Sequence, residues 1–198
     1  MAYYPENVEK LIEKLIKFPG IGPRSAERII YYILNEKEDI ILSLAENLIS
    51  VKKDIHLCKK CFNLSESEVC NICRDEKREK ILCVVEKVND LILIEKTGFK
   101  GLYHVLGGTI SPLEKISPDK LTIPQLIERL KKEPVQEVII ATNPTPEGEE
   151  TATYISGILK GMGIKHSRLG YGLPVGAEIE YVGIQTLKRA IENRKTLF

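Results

Sequence analysis

Three stretches hold residues whose types and spacing can do chemistry. Cys58-Lys-Lys-Cys61 and Cys70-Asn-Ile-Cys73 are two C-x2-C knuckles separated by residues 62–69. Four thiolates in two tight turns suit tetrahedral zinc, and an ion with four protein ligands keeps no open position for water, so it holds structure. A redox pair or an iron–sulfur site remains compatible with the same pattern. The second stretch, residues 141–149, reads ATNPTPEGE after an apolar run and before a helical pattern. Such a strand-to-helix turn offers free N–H groups at a helix N-terminus, a usual place for phosphate or acidic chemistry. Its carboxylates are Glu147 and Glu149, while Asn143 and Thr145 are neutral, and Glu86 closes another apolar run at 81–86. The third stretch is FPGIGPRSAER, residues 18–28. Gly20 and Gly22 remove side chains that would hold a backbone away from a phosphate, and Arg24 and Arg28, four apart, share one helix face. The plainer alternative is a packed helix pair with two solvated arginines.

These groups need elements to position them. Val8, Leu11, Ile12, Leu15 and Ile16 form one apolar stripe over residues 5–17, ended by Pro19 and Gly20. A second helix starts near Pro23 or Arg24 and turns Ala26, Ile29, Ile30, Ile33 and Leu34 inward. A third covers roughly residues 37–51 with Ile40, Ile41, Leu44, Leu48 and Ile49. Residues 52–80 lose aliphatics and gain charge around the cysteines. Lys59, Lys60, Arg74, Lys77 and Arg78 alternate there with Glu66, Glu68, Asp75, Glu76 and Glu79, which is either a diluted nucleic-acid patch or a mixed solvated surface.

From residue 81 strand and helix signals alternate. Residues 81–86, 103–106, 135–141 and 164–167 read as strands, and LILIEKTG after Asp90 fits either strand or helix. A helix starts at Thr122-Ile-Pro124, and Thr145 and Pro146 suit the cap and first position of another. This order predicts a mostly parallel sheet with helices on both faces, and functional groups beyond the carboxyl ends of its strands. Glu86 and the Asn143–Glu149 turn both fall there. Cys83 reads as a buried core thiol. The tail, with a loop at GLPVG (residues 172–176), predicts a short strand and a final amphipathic helix carrying Leu187, Ala190 and Ile191, packed on its own sheet or on a neighbouring subunit.

Composition sets wide limits. The 198 residues are 43% apolar and 29% charged, and the net charge of +1 neither supports nor excludes nucleic-acid binding, which would rest on local patches. No apolar run is long enough to span a membrane and the start, MAYYPENVEK, lacks a signal-peptide pattern, so a cytoplasmic location is expected. No G-x4-G-K-[ST] occurs, so no P-loop and no ATP hydrolysis are expected.

The glycine hairpin resembles a helix-hairpin-helix motif, and residues 141–149 with Glu86 resemble the acidic signature of a Toprim domain. With CKKC…CNIC, YHVLGG (residues 103–108) and GLPVG in this order, the whole chain is similar to the RecR family of bacterial recombination mediators. The resemblance implies an α/β protein with a helix-hairpin-helix DNA-binding region (1–53), a four-cysteine zinc module (54–80), a Toprim-like parallel-sheet domain (81–170), and a C-terminal segment with an oligomerisation helix (171–198). It implies one structural zinc ion on Cys58, Cys61, Cys70 and Cys73, and sequence-independent DNA contact at Gly20, Gly22, Arg24 and Arg28. It further implies a DNA-repair role at the nucleoid. Ring-shaped oligomers, commonly tetramers, would work with RecO and RecF to load RecA onto single-stranded DNA covered by single-strand-binding protein. An acidic Toprim face, here Glu86, Asn143, Glu147 and Glu149, would dock RecO.

Active Toprim enzymes hold magnesium on a Glu and an Asp-x-Asp pair. Glu86 survives, but the Asp positions are Asn143 and Thr145, and magnesium prefers hard carboxylate oxygens. The expectation is therefore a non-enzymatic adaptor. A magnesium-dependent nuclease or primase is the disfavoured alternative, and a zinc-dependent protein–protein module without DNA contact a third. Gly183 and Ile184 stand where relatives often carry acids, which argues against an acidic ATP-site cluster.

Overall fold

A computed structural model describes residues 3–170 and 172–194. The chain divides into two compact units between Ile55 and His56.

The first unit holds helices α1 (Glu6–Leu15), α2 (Pro23–Asn35) and α3 (Glu38–Asp54). Gly20, at φ +82°, turns the chain between α1 and α2, and Pro23 occupies the first position of α2 without losing a useful donor. Ala26 and Ile30 are buried, with Ile29 and Ile33 half-buried beside them. Leu34 departs from the expected inward stripe and is 66% exposed. At 3.6 residues per turn it stands about 80° around the helix from Ala26, at the edge of the buried face. Helix α3 extends to Asp54 and buries none of its side chains fully.

The second unit opens with the cysteine module. Strands β1 (His56–Leu57) and β2 (Leu64–Ser65) pair antiparallel, and a single helical turn, α4 (Asn71–Arg74), follows the second knuckle. Next come β3 (Ile81–Val85), α5 (Val88–Glu95), β4 (Leu102–Val105), α6 (Ile123–Lys132), β5 (Glu137–Ala141), α7 (Pro146–Gly161) and β6 (His166–Arg168). The four longer strands form one parallel sheet in the order β4-β3-β5-β6. Parallel neighbours need a crossover, so the ambiguous LILIEKTG stretch becomes α5 between β3 and β4. Asp90 sits inside its first turn and accepts the Lys87 N–H at 2.9 Å.

Strand alternation sorts the core into two faces. Leu82, Val84, Val138 and Ile140 pack under Leu126 and Leu130 of α6 and Ala152, Ile155 and Leu159 of α7. Cys83, Val85, Tyr103 and Val105 face the other way, against Leu91 of α5 and Phe62 and Ile72 of the cysteine module. The module thus covers part of the sheet. Cys83 is buried, as its apolar run predicts, and burial pushes its thiol up to about 12.

The tail differs from expectation. Its predicted short strand is a 3₁₀ turn, Ile179–Tyr181, before the final helix α8 (Ile184–Glu192). Ile179 and Tyr181 are both largely exposed, and the N–H groups of Tyr181 and Val182 bond to Glu178 and Ile179. Among the described residues this stretch pairs with no strand, and its backbone closes locally.

Candidate functional site

The four cysteines converge. Their sulfurs all lie within 4.8 Å of one another, and Cys61 Sγ is 3.5 Å from Cys70 Sγ. That is far longer than a disulfide and close to the ~3.8 Å between ligands about 2.3 Å from a tetrahedral ion. Backbone N–H groups of Lys60 and Cys70 point at Cys58 Sγ at 3.4 and 3.3 Å. Cys58, Cys61 and Cys70 are buried. The Cys73 thiol is held down to about 6, first by its hydrogen bond with Cys61 and also by the charge of Arg129, against the effect of burial. Cys61 is driven up, first by the same bond and then by burial. Four sulfurs gathered this closely suit a divalent ion that takes all four as thiolates.

The acidic turn is built differently from a metal site. Glu86 follows β3 and is only 5% exposed. Its Oε1 accepts the Asn143 backbone N–H at 2.6 Å and its Oε2 accepts Asn143 Nδ2 at 2.7 Å. One asparagine therefore occupies both oxygens of the carboxylate, and Glu86 lies beneath the turn, away from its exposed surface. Thr145 caps α7 by accepting the Gly148 N–H at 3.1 Å, and Thr142 Oγ1 donates to the Gly148 carbonyl at 2.8 Å. A Cβ on Gly148 would stand 2.1 Å from the Asn143 carbonyl oxygen and 2.8 Å from Glu86 Oε1. The turn closes on Gly148, and its glycine keeps that approach possible.

The two outer acids diverge. Glu147 is half-buried at the start of α7. Glu149 lies 3.5 Å from Arg168 of β6 and 3.3 Å from Arg189 of α8, a three-member ion cluster that ties the tail to the turn. Of the four residues in the predicted acidic face, the structure brings Glu86 and Asn143 together and leaves Glu149 engaged with two arginines. Periodicity alone does not reveal Arg129, Arg168 or Arg189, whose long-range partners lie 19 to 69 residues away in the chain. Gly148 left a signal, because a glycine inside a helix's first turn needs a reason.

At the hairpin, Arg24 and Arg28 are exposed on α2. Gly20 needs its glycine for a positive φ. Gly22 does not, since its backbone is extended, at φ −91° and ψ 174°, and a Cβ there would meet nothing within 4 Å. The first turn of α2 takes no side-chain cap.

A parallel sheet carrying a four-cysteine module on one face and an acidic strand-to-helix turn at its carboxyl end defines a Toprim-type protein, here with a separate helical-hairpin unit. Family models match in the same order: RecR helix-hairpin-helix over residues 8–52, RecR four-cysteine zinc finger over 55–75, Toprim over 80–170 and RecR C-terminal over 172–195. Together they define RecR, and the chain belongs to that family. The family's domains are those of a recombination mediator in DNA repair, and the zinc-finger match with the four converging sulfurs gives one structural zinc ion. No helix among the described residues is long and apolar enough to cross a membrane.

Proposed function

We propose that this chain is a non-enzymatic DNA clamp subunit that binds the phosphate backbone without reading sequence. On this reading Gly20, Gly22, Arg24 and Arg28 form the contact. Subunits assemble into a ring, commonly a tetramer, in the cytoplasm at the nucleoid. With RecO and RecF, the ring promotes loading of RecA onto single-stranded DNA. The observation that carries it is Gly22. Among the described residues nothing requires glycine there, whereas close approach of a phosphate to the uncapped start of α2 does. The docking surface for RecO is then the rim of the turn, exposed Asn143 with half-buried Glu147 and Glu149, supported from below by Glu86. The absence of enzymatic activity is supported by the Asn143 latch, which occupies the carboxylate that a metal would need.

The test is a double variant, Arg24→Ala with Arg28→Ala. Fluorescence anisotropy across a salt series should show weakened binding. If both arginines touch phosphate, the log–log salt slope should flatten by about 1.4 to 1.8. Equal affinity and slope in the variant would remove the hairpin from the account. A strand-cleavage assay with Mg²⁺ or Mn²⁺ should leave DNA intact, and cleavage would return the enzyme reading.

A further inference from the structure

Among the described residues, Arg129 is the only buried Lys or Arg. It projects from α6 with 8% of its surface exposed. Its Nη1 donates to the Tyr103 carbonyl of β4 at 2.7 Å and reaches the Lys60 carbonyl, inside the first cysteine knuckle, at 3.4 Å. Its Nε donates to Glu133 at 3.1 Å. Its Nη2 is buried and has no hydrogen-bond partner. A core guanidinium with an idle –NH₂ is costly unless something negative faces it.

The four-cysteine centre, whose first knuckle Arg129 touches through the Lys60 carbonyl, can supply that charge. Zinc with four thiolates carries two net negative charges, and three of the four cysteines are buried. The N–H groups that point at Cys58 are dipoles, not full charges. Other cations near the knuckles lie toward the surface, including exposed Arg74, which donates to Asn71. Lys59 pairs with Glu68, both well exposed, and Lys60 pairs with Glu133 at 2.8 Å. We propose that Arg129 is the built-in counter-charge of the zinc centre, a positioning residue that sets how firmly the thiolates hold their ion. Its bond to Tyr103, together with the Val105 N–H that donates to the Cys61 carbonyl at 2.8 Å, also seats the knuckle against the edge of the sheet.

Charge and mechanical support make opposite predictions at Glu133. This half-exposed carboxylate partly neutralises both Arg129 and Lys60. Glu133→Gln removes a negative charge beside the thiolates and also removes two ties to the module. If field matters, zinc leaves more slowly; if the ties matter, it leaves faster. The experiment follows zinc transfer from the full-length chain to a chromogenic chelator, with the absorption of the Co²⁺-substituted protein as a second readout. Arg129→Met should release zinc roughly ten- to a hundredfold faster and shift the thiolate-to-cobalt bands. Arg129→Lys, which keeps the charge, should recover most of the slow release, and Glu133→Gln should be slower than the parent. Faster release from Glu133→Gln overturns the proposal, as does an Arg129→Met protein with parental rate and spectrum. Should Arg129→Met not fold, the direction of the Glu133→Gln change decides alone.

Discussion

Asn143 illustrates how a single residue ties up a buried carboxylate in a structural joint. Its side chain donates to Glu86 Oε2 at 2.7 Å while its backbone donates to Oε1 at 2.6 Å. An aspartate at the same place would set a second carboxylate against the first. The hydrogen bond would be lost, and like charges in a buried site repel. Asn143→Asp should therefore destabilise the metal-free second unit by about 2–3 kcal/mol. Millimolar Mg²⁺ or Mn²⁺ should restore the variant's melting temperature and leave that of the parent unchanged. A variant that melts like the parent, with or without the cation, would show that the asparagine does not decide cation binding at this turn. The substitution was legible in the sequence as a missing charge. Its positive role, holding Glu86 beneath the turn, was not, because the two residues are 57 positions apart.

At the scale of elements, His104 joins three pieces of the second unit. It lies on β4, fully buried. Its Nε2 is 3.0 Å from the carbonyl oxygen of Thr122, at the start of α6, and its ring meets Phe62 of the zinc module edge-on with centroids 5.3 Å apart. Burial, first of all, lowers its pKa from 6.5 to about 4. Between those values the unfolded chain binds a proton that the folded chain refuses. Stability is then full above pH 6.5 and falls as pH drops toward 4, by about 3 kcal/mol in total. Urea unfolding at pH 7 and pH 4.5 should show a smaller pH effect in His104→Gln than in the parent. Parallel losses in both would assign the acid sensitivity to other groups. The periodicity of the sequence located β4 and α6 to within a residue or two. It could not say that a histidine would bridge them, since nothing local distinguishes a core histidine from a surface one.

For the whole molecule, the apolar residues left open are instructive. Leu42, Leu48, Ile49 and Val51 of α3 are each more than half exposed, and so are Tyr181 and Ile184 near the C-terminus. Apolar surface on this scale commonly marks an interface. The ring proposal places other subunits on it. Light scattering at micromolar concentration should return a multiple of the chain mass, and a value of one chain would exclude a stable ring. Adding DNA should leave that multiple or raise it. Helix α3 was expected from its sequence, but its apolar residues did not announce that they would remain uncovered within the chain.

Local spacing alone determined much of this protein. Two C-x2-C pairs bring four thiolates within reach of one ion, apolar periods of 2 and 3.6 set strand and helix, and Thr145-Pro146 starts α7, all within a few residues of chain. Tertiary structure decided what depends on distant partners. It buried Glu86 under Asn143, engaged Glu149 with Arg168 and Arg189, and set Arg129 against the Lys60 carbonyl across 69 positions of sequence. A residue's charge is written in the chain, but its burial and its counter-charge exist only once the elements pack.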